Sequence, residues 1–311
     1  DNFYWDAETQ TSHNKSTNTV TVKESWFQSL DTSVAPTRNA DGSIDMHGLL
    51  LLTAEGLAAT DAGARGAVWG QAEAAKATFW VVGDSTVSPF NDSYYLPREG
   101  YGEELENYFN ANVYNLAVSG ASSKDFTGMA NYTTLLKGSD TVPALGDTDG
   151  DKFLLIGFGH NDEKTEPARY TNPNGDYKTE GSFANSLYVN YIQPALERGV
   201  TPVVCTPIAR LTEANTKASY DGASGHKTTT VTIGDAVYEG GDYAQAIRDM
   251  CSELHLICVN LTDATINENI AMGKKAQYTH SFTGAKVDKR GKLSPTGLDL
   301  THTNSYGAKL N

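Results

Sequence analysis

Three residues that lie far apart in the chain have side chains that could together activate a hydroxyl group. Ser85 follows the apolar residues 79–83 in a Gly-Asp-Ser-Thr segment, and Asp299 and His302 stand three positions apart near the C-terminus. A serine hydroxyl becomes a good nucleophile when a histidine, held in one tautomer by a carboxylate, takes its proton. In one helical or 3₁₀ turn, a spacing of three places both side chains on one face. We therefore predict Ser85 as nucleophile, His302 as base and Asp299 as the residue that orients His302.

Serine attack on a carbonyl group creates an oxyanion, which needs hydrogen-bond donors. The candidates are the backbone N–H of Ser85, the N–H of Gly120, whose missing side chain allows close approach, and the side-chain amide of Asn161. Each of the three follows an apolar strand candidate. Reactive groups of an open parallel sheet collect at the carboxyl ends of its strands, so we expect these donors to lie on one rim.

Apolar segments that alternate with amphipathic ones must position these residues. One predicted helix begins at Ser182 as N-cap and ends near Gly199, and Pro194 should kink it or limit its last turn. A second predicted helix has Asp242 as its N-cap. The strand candidates are near-continuous apolar runs, as expected for parallel strands covered on both faces: 78–83, 112–118, 152–159, 200–206 and 256–261. The pattern predicts a three-layer α/β/α sandwich with a central parallel sheet.

Residues 1–76 differ from the rest because they are polar and rich in Thr and Asn, then rich in Ala and Gly. We predict a β-containing N-terminal accessory region with a pliant connector, followed by a catalytic domain over 77–311.

The chain starts at Asp1 without Met, which favours a removed signal peptide and export from the cell. Asn311 lies about two turns into a final helix, which predicts that the natural chain continues or that a separate fragment completes this helix.

Composition excludes several classes of partner. The formal net charge of −14 disfavours nucleic acids and anionic membrane surfaces, and no apolar run approaches the roughly 20 residues that span a bilayer. No phosphate-binding glycine pattern accompanies the motifs, and their spacing demands no metal, so no cofactor is expected.

The three cysteines, Cys205, Cys251 and Cys258, are interpreted as structural thiols, with a Cys251–Cys258 bridge as the alternative.

The long connection over residues 207–240 contains a hairpin-like stretch at 228–238. Long excursions on a catalytic rim usually shape access to the site, so Arg210, Tyr220 and His226 are candidate sugar contacts. His160 is interpreted equally well as a substrate contact or as a local hydrogen-bond partner.

Four segments, in this order over about 220 residues, resemble the blocks of the SGNH (GDSL-type) hydrolase superfamily. They are Gly83-Asp84-Ser85, Gly120, Gly159-His160-Asn161-Asp162 and Asp299-Leu300-Thr301-His302. The variants GDST at 83–86 and GHND at 159–162 and the segment DLTHTNSYGA at 299–308 look most like its rhamnogalacturonan acetylesterase branch, carbohydrate esterase family twelve. The stretches 206–211 and 240–248 add to this resemblance.

The resemblance covers residues 78–311. It implies a flavodoxin-like SGNH fold and removal of acetyl groups from plant cell-wall polysaccharide by a metal-free Ser-His-Asp mechanism. Asp84 and Asp162 are expected to shape their loops. Two alternatives stay open: a lipid esterase or thioesterase of the same superfamily, and a non-catalytic carbohydrate-binding protein on an inherited scaffold.

Overall fold

The computed structural model describes four N-terminal strands and residues 77–90, 98–109, 111–282 and 298–311. The four strands pair antiparallel in chain order: β1 Phe3–Asp6, β2 Thr11–Asn14, β3 Thr19–Lys23 and β4 Ser43–Asp45. This agrees with the predicted β content of the N-terminal region. The predicted connector lies outside the described residues, and the division at residue 76 stays a prediction.

A five-stranded parallel sheet forms the centre of the fold. Its strands are β5 Ala77–Gly83, β6 Ala111–Asn115, β7 Asp151–Gly157, β8 Thr201–Cys205 and β11 Ile257–Val259. They are arranged in the order β6-β5-β7-β8-β11, which is the order of flavodoxin-type sheets. All five predicted strands are therefore present. The order reverses between β5 and β7, where such sheets bind ligands.

Two shorter antiparallel pairs accompany the sheet. Strands β9 Val231–Ile233 and β10 Ala236–Tyr238 form the predicted hairpin, which turns at Gly234 with φ +60°. Strands β12 His280–Phe282 and β13 Leu298–Thr303 form the second pair, and their register shifts between His280 and Phe282.

Apolar side chains cover both faces of the central sheet, which gives the predicted three layers. The helices are α1 Leu105–Tyr108, α2 Ala130–Lys137, α3 Phe183–Leu187, α4 Gln193–Glu197, α5 Tyr243–Leu254, α6 Leu261–Met272 and α7 Ser305–Leu310. Trp80, Leu154 and Val204 pack on one face of the sheet against α2, α3 and α5. Phe79 and Leu155 pack on the other face with residues from α1 and α6.

The predicted helix over 182–199 is interrupted before its proline. The Ser182 hydroxyl accepts a hydrogen bond from the Asn185 N–H at 2.9 Å and begins α3, but residues 188–192 form a π-helical turn before α4. Pro194 has no N–H to bond the carbonyl of Asn190 four residues earlier. The Tyr132 hydroxyl donates to that carbonyl instead, at 3.1 Å. Helix α5 begins as predicted, because Asp242 accepts from the Gln245 N–H at 2.8 Å.

The cysteines are free thiols in this structure. Cys205 and Cys251 are buried, Cys258 is half-buried, and the thiols of Cys251 and Cys258 are hydrogen-bonded rather than bridged. Burial raises the pKa of Cys205 to about 12, so this thiol stays protonated and unreactive. Among the described helices, none combines the length and the hydrophobicity of a membrane-spanning segment.

Candidate active site

Ser85 lies in a tight turn directly after β5. A β-carbon on Gly83 would lie 2.5 Å from the Gly157 carbonyl oxygen, so only glycine permits this close approach of the ends of β5 and β7. The carboxylate of Asp84 accepts from both the N–H and the hydroxyl of Thr86, at 2.9 and 2.8 Å. Burial raises the pKa of Asp84, whereas its bonds to Thr86 act in the opposite direction. The turn thus holds Ser85 at the carboxyl end of the sheet.

Asp299 and His302 lie on strand β13, not in the predicted helical or 3₁₀ turn. In a regular strand, residues three apart point to opposite faces. Here the register shift and the Asp299 side chain bend the strand, because Asp299 Oδ1 accepts from the N–H groups of Thr301 and His302, at 2.9 and 3.1 Å. The bend brings both side chains to one side.

A continuous chain of hydrogen bonds joins the three predicted residues. His302 Nε2 lies 2.8 Å from Ser85 Oγ, and His302 Nδ1 lies 2.9 Å from Asp299 Oδ2. Ser85 and Asp299 are both 7% exposed, so the contacts are sheltered from water but reachable. Burial alone would raise the pKa of Asp299, but the hydrogen bond and charge of His302, the Arg98 guanidinium and the Thr301 N–H hold this pKa well below its usual value. The carboxylate is therefore charged, as an orienting group must be.

The two further candidate oxyanion donors lie in neighbouring loops. Gly120 has φ +86°, a conformation that favours glycine, and its loop is joined to the end of β5 because Val118 donates to the Gly83 carbonyl at 3.0 Å. The Asn161 amide donates one hydrogen to the Ala121 carbonyl at 3.0 Å and has a second hydrogen to offer. Their role as donors stays a prediction.

Asp162 ties the loops after β6 and β7 together. Its carboxylate accepts from the Ser123 N–H at 3.1 Å, from the Ser123 hydroxyl at 2.5 Å and from the Thr171 hydroxyl at 3.1 Å. Burial raises the pKa of Asp162 to about 7, with the bonds to Ser123 opposing that shift. Asp84 and Asp162 thus make the loop-shaping contacts expected of them.

The predicted sugar contacts are placed less favourably. His226 has no exposed surface: its Nε2 lies 2.7 Å from the Ile208 carbonyl, and its Nδ1 lies 3.5 Å from Glu163. Tyr220 is also buried, and its hydroxyl donates to Asn215 at 2.7 Å. A side chain enclosed in this way cannot reach a substrate, so the structure argues against a sugar contact for both. The reason is that the 207–240 excursion packs its middle into the domain.

His160 and Arg210 lie beside the same buried cluster. The ring of His160 is 3% exposed and packs edge-on against His226, with ring centroids 4.6 Å apart. Burial, followed by the charge of Arg210, holds the pKa of His160 well below its usual value. The guanidinium of Arg210 pairs with Glu163 and donates to the Ala223 carbonyl at 2.8 Å. No substrate role for either residue follows from these contacts.

Two arginines at the site carry no local sequence signal. Arg98 Nη2 lies 2.5 Å from Asp299 Oδ2. Arg169 Nη1 lies 3.4 Å from both the Gly120 carbonyl and Asn161 Oδ1. The contacts Arg98–Asp299 and Arg169–Gly120 join residues that are distant in the chain, so only the tertiary structure identifies them. Among the residues that the structure describes, no group of three or more His, Cys, Asp or Glu side chains is arranged to hold a metal ion.

Comparison with known proteins gives one curated relative of significant similarity. It is the "Probable rhamnogalacturonan acetylesterase YesY" of Bacillus subtilis, 26% identical over 232 residues, which cover 74% of this chain and 86% of the relative. No protein-family model matches the chain. This relative confirms the predicted resemblance to rhamnogalacturonan acetylesterases.

Solved structures with similar folds are more distant. The Bacillus subtilis protein YXIM aligns over 78% of this chain with a TM-score of 0.49 and 17% identity, and the alignment covers 55% of that protein. A structure described as a GDSL-like lipase from Parabacteroides merdae aligns over 76% of this chain and 92% of its own length, with a TM-score of 0.41 and 14% identity.

Proposed function

We propose that this protein is a carboxylic ester hydrolase that removes acetyl groups from acetylated plant cell-wall polysaccharide or its oligosaccharides. The observation that carries the proposal is the hydrogen-bond chain from Asp299 through His302 to Ser85. A buried carboxylate, an imidazole and a serine in this relation have the geometry of a nucleophilic hydrolase. The curated relative named as an acetylesterase supports the same class of reaction.

The hydrogen-bond chain supports a proton path. His302 Nδ1 donates to Asp299, which leaves Nε2 free to take the proton as Ser85 Oγ attacks the ester carbonyl. The N–H groups of Ser85 and Gly120 and the amide of Asn161 stabilise the oxyanion. The protonated His302 then donates its proton to the departing sugar oxygen, which leaves as a hydroxyl, and an acetyl group remains on Ser85. Water attacks this acetyl-enzyme by the same route in reverse, releasing acetate and restoring the free enzyme.

The polysaccharide and the place of action are part of the proposal. The loops around the motifs are polar and rich in Asn, Gly and Tyr, which suits a sugar better than a long acyl chain. Pectin, rhamnogalacturonan and xylan all present acetyl esters. Because such polymers lie outside the cell, a secreted enzyme fits the proposed substrate.

Acetate release from a panel of acetylated glycans tests the proposal. Ser85→Ala should lower acetate release at least about 10³-fold, because it removes the nucleophile while leaving the turn intact. Ser88→Ala, three residues further in the same turn, is the matched control and should retain most of the activity. Equal activity of Ser85→Ala and the unaltered protein on the responsive glycan would exclude Ser85 as nucleophile.

Two further measurements separate this function from its alternatives. A lipid esterase would cleave p-nitrophenyl octanoate faster than p-nitrophenyl acetate, whereas an acetylesterase has the opposite preference. A non-catalytic binding protein would not be labelled at Ser85 by a serine-directed fluorophosphonate, although it would still bind the glycan.

A further inference from the structure

The segment that follows β5 brings an arginine to the far side of the orienting carboxylate. Glu99 is joined to strand β13 by two hydrogen bonds: its N–H donates to the Thr303 carbonyl at 2.8 Å, and its carbonyl accepts from the Thr303 hydroxyl at 2.9 Å. These bonds fix Arg98 next to Asp299, and Arg98 Nη2 lies 2.5 Å from Asp299 Oδ2. The two side chains are 13% and 7% exposed, so the ion pair is largely shielded from water.

Four groups therefore donate a hydrogen bond to the Asp299 carboxylate or form an ion pair with it. Its Oδ1 accepts from the N–H groups of Thr301 and His302, and its Oδ2 is shared between His302 Nδ1 at 2.9 Å and Arg98. A carboxylate held by donors on both oxygens cannot rotate, which fixes the imidazole of His302 towards Ser85. The guanidinium also places a permanent positive charge beside the ring that must accept a proton.

We propose that Arg98 is a positioning residue that fixes Asp299 and sets the pH range in which His302 acts as a base. This inference rests on the proposed function. The guanidinium opposes protonation of His302 in two ways: it repels the imidazolium, and it offsets part of the negative charge of Asp299.

Other groups that face His302 stay in place when Arg98 is replaced. Among the described residues these are Asp84 after β5, His160 after β7, and His280 on β12, while the ring edge of Phe90 lies against the imidazole with centroids 6.3 Å apart. Burial holds the pKa of both His160 and His280 below the usual value, to about 4 for His280, so these rings stay neutral across the relevant range. Burial also raises the pKa of Glu99, the neighbour of Arg98, to about 8, so the pH profile of an Arg98 variant is interpreted together with a direct titration of the His302 ring.

The test compares the unaltered protein with Arg98→Gln and Arg98→Lys. For Arg98→Gln, the acid limb of the kcat/KM profile on p-nitrophenyl acetate should move up by roughly one pH unit. At a pH one unit below the midpoint of the unaltered protein, the substitution should therefore lower kcat/KM about tenfold more than it does at pH 8. Arg98→Lys keeps the charge but has only one nitrogen to donate, so its acid limb should stay in place while kcat falls at every pH. Arg248→Gln, a partly buried arginine on α5, is the control and should leave the limb unchanged.

An NMR titration of the His302 ring, assigned with a His302→Gln variant, reports the same midpoint without turnover. If the unaltered protein cleaved no ester, the proposed function would fail, but this titration would still test the role of Arg98. A midpoint that is the same in Arg98→Gln and the unaltered protein, or one that shifts equally in Arg98→Lys, would overturn the inference. If circular dichroism showed that Arg98→Gln does not fold, Arg98→Met, which is also neutral and keeps much of the length of the side chain, would be titrated in its place with the same expected shift.

Discussion

Asn161 is a side chain with two amide hydrogens and contacts on both of its ends. One hydrogen goes to the Ala121 carbonyl at 3.0 Å, and Oδ1 accepts from Arg169 at 3.4 Å. The contact with Arg169 fixes which end of the amide is the oxygen, so the NH₂ group faces the loop that contains Gly120. The predicted oxyanion contact would use the second hydrogen of this amide.

Replacing Asn161 by Ala should lower kcat for acetyl ester hydrolysis by roughly 10²- to 10³-fold, because one oxyanion donor is lost. KM should change little, since the donor acts on the charge that develops after binding. Steady-state kinetics on p-nitrophenyl acetate measure both constants. Asn190→Ala, in the π-helical turn remote from the triad, should keep the original kcat. A kcat for Asn161→Ala within about twofold of the original value would remove Asn161 from the oxyanion hole.

At the scale of elements, the site depends on how closely the ends of β5 and β7 approach. The N–H of Asp84 donates to the Gly157 carbonyl at 3.2 Å, which continues the strand pairing into the turn that holds Ser85. The Gly83 position leaves no space for a side chain, because a β-carbon would meet the backbone oxygen of Gly157 and the side chain of Val87. A backbone atom cannot move aside as a flexible side chain can.

Gly83→Ala should therefore destabilise the protein by at least about 2 kcal/mol, because it overpacks a strand end against the backbone. It should also lower activity by displacing Ser85 from His302. The matched control is Gly128→Ala, where a β-carbon meets nothing within 4 Å. Urea unfolding and acetate release measure the two effects. If the two variants were equally stable, the close approach of β5 and β7 would not constrain the fold.

At the scale of the whole molecule, a buried histidine links folding to pH. His280 lies on β12 opposite Thr303 of β13, and its Nδ1 contacts the Thr279 hydroxyl at 2.8 Å. Burial lowers the pKa of His280 to about 4, whereas an unfolded histidine titrates near 6.5. Between these values, the unfolded chain binds a proton that the folded chain does not. Above about pH 6.5 His280 is neutral in both states, and the free energy of unfolding has its full value. As the pH falls from 6.5 towards 4, protonation of His280 in the unfolded chain lowers the free energy of unfolding.

Between pH 7 and pH 4, protonation of His280 in the unfolded chain should decrease the free energy of unfolding by up to about 3 kcal/mol. His280→Gln should show a weaker decrease over the same range, because glutamine does not titrate. His255→Asn, at an exposed helix end, should keep the original pH dependence. Urea titrations at several pH values measure these differences. An identical pH dependence in His280→Gln would show that the neutral state of His280 does not contribute.

The sequence by itself determined the layer architecture and much of the local structure. Five apolar runs predicted the five strands of the central sheet, and Ser182 and Asp242 cap helices where expected. These features follow from hydrophobic period and short-range hydrogen bonds, which are encoded within a few residues. The motif residues Ser85, Asp299 and His302 were also evident, because their types and order are distinctive.

Only the tertiary structure decided how these parts meet. Asp299 and His302 share a side because a bent strand, paired with β12 and bonded to Glu99, replaces the predicted turn. His226 is enclosed, although its segment looked like an exposed excursion. The contacts of Arg98 with Asp299 and of Arg169 with Gly120 join residues separated by long stretches of chain, and no local pattern encodes them. Burial and charge act through space, so the state of each carboxylate and imidazole depends on neighbours that the sequence does not place side by side.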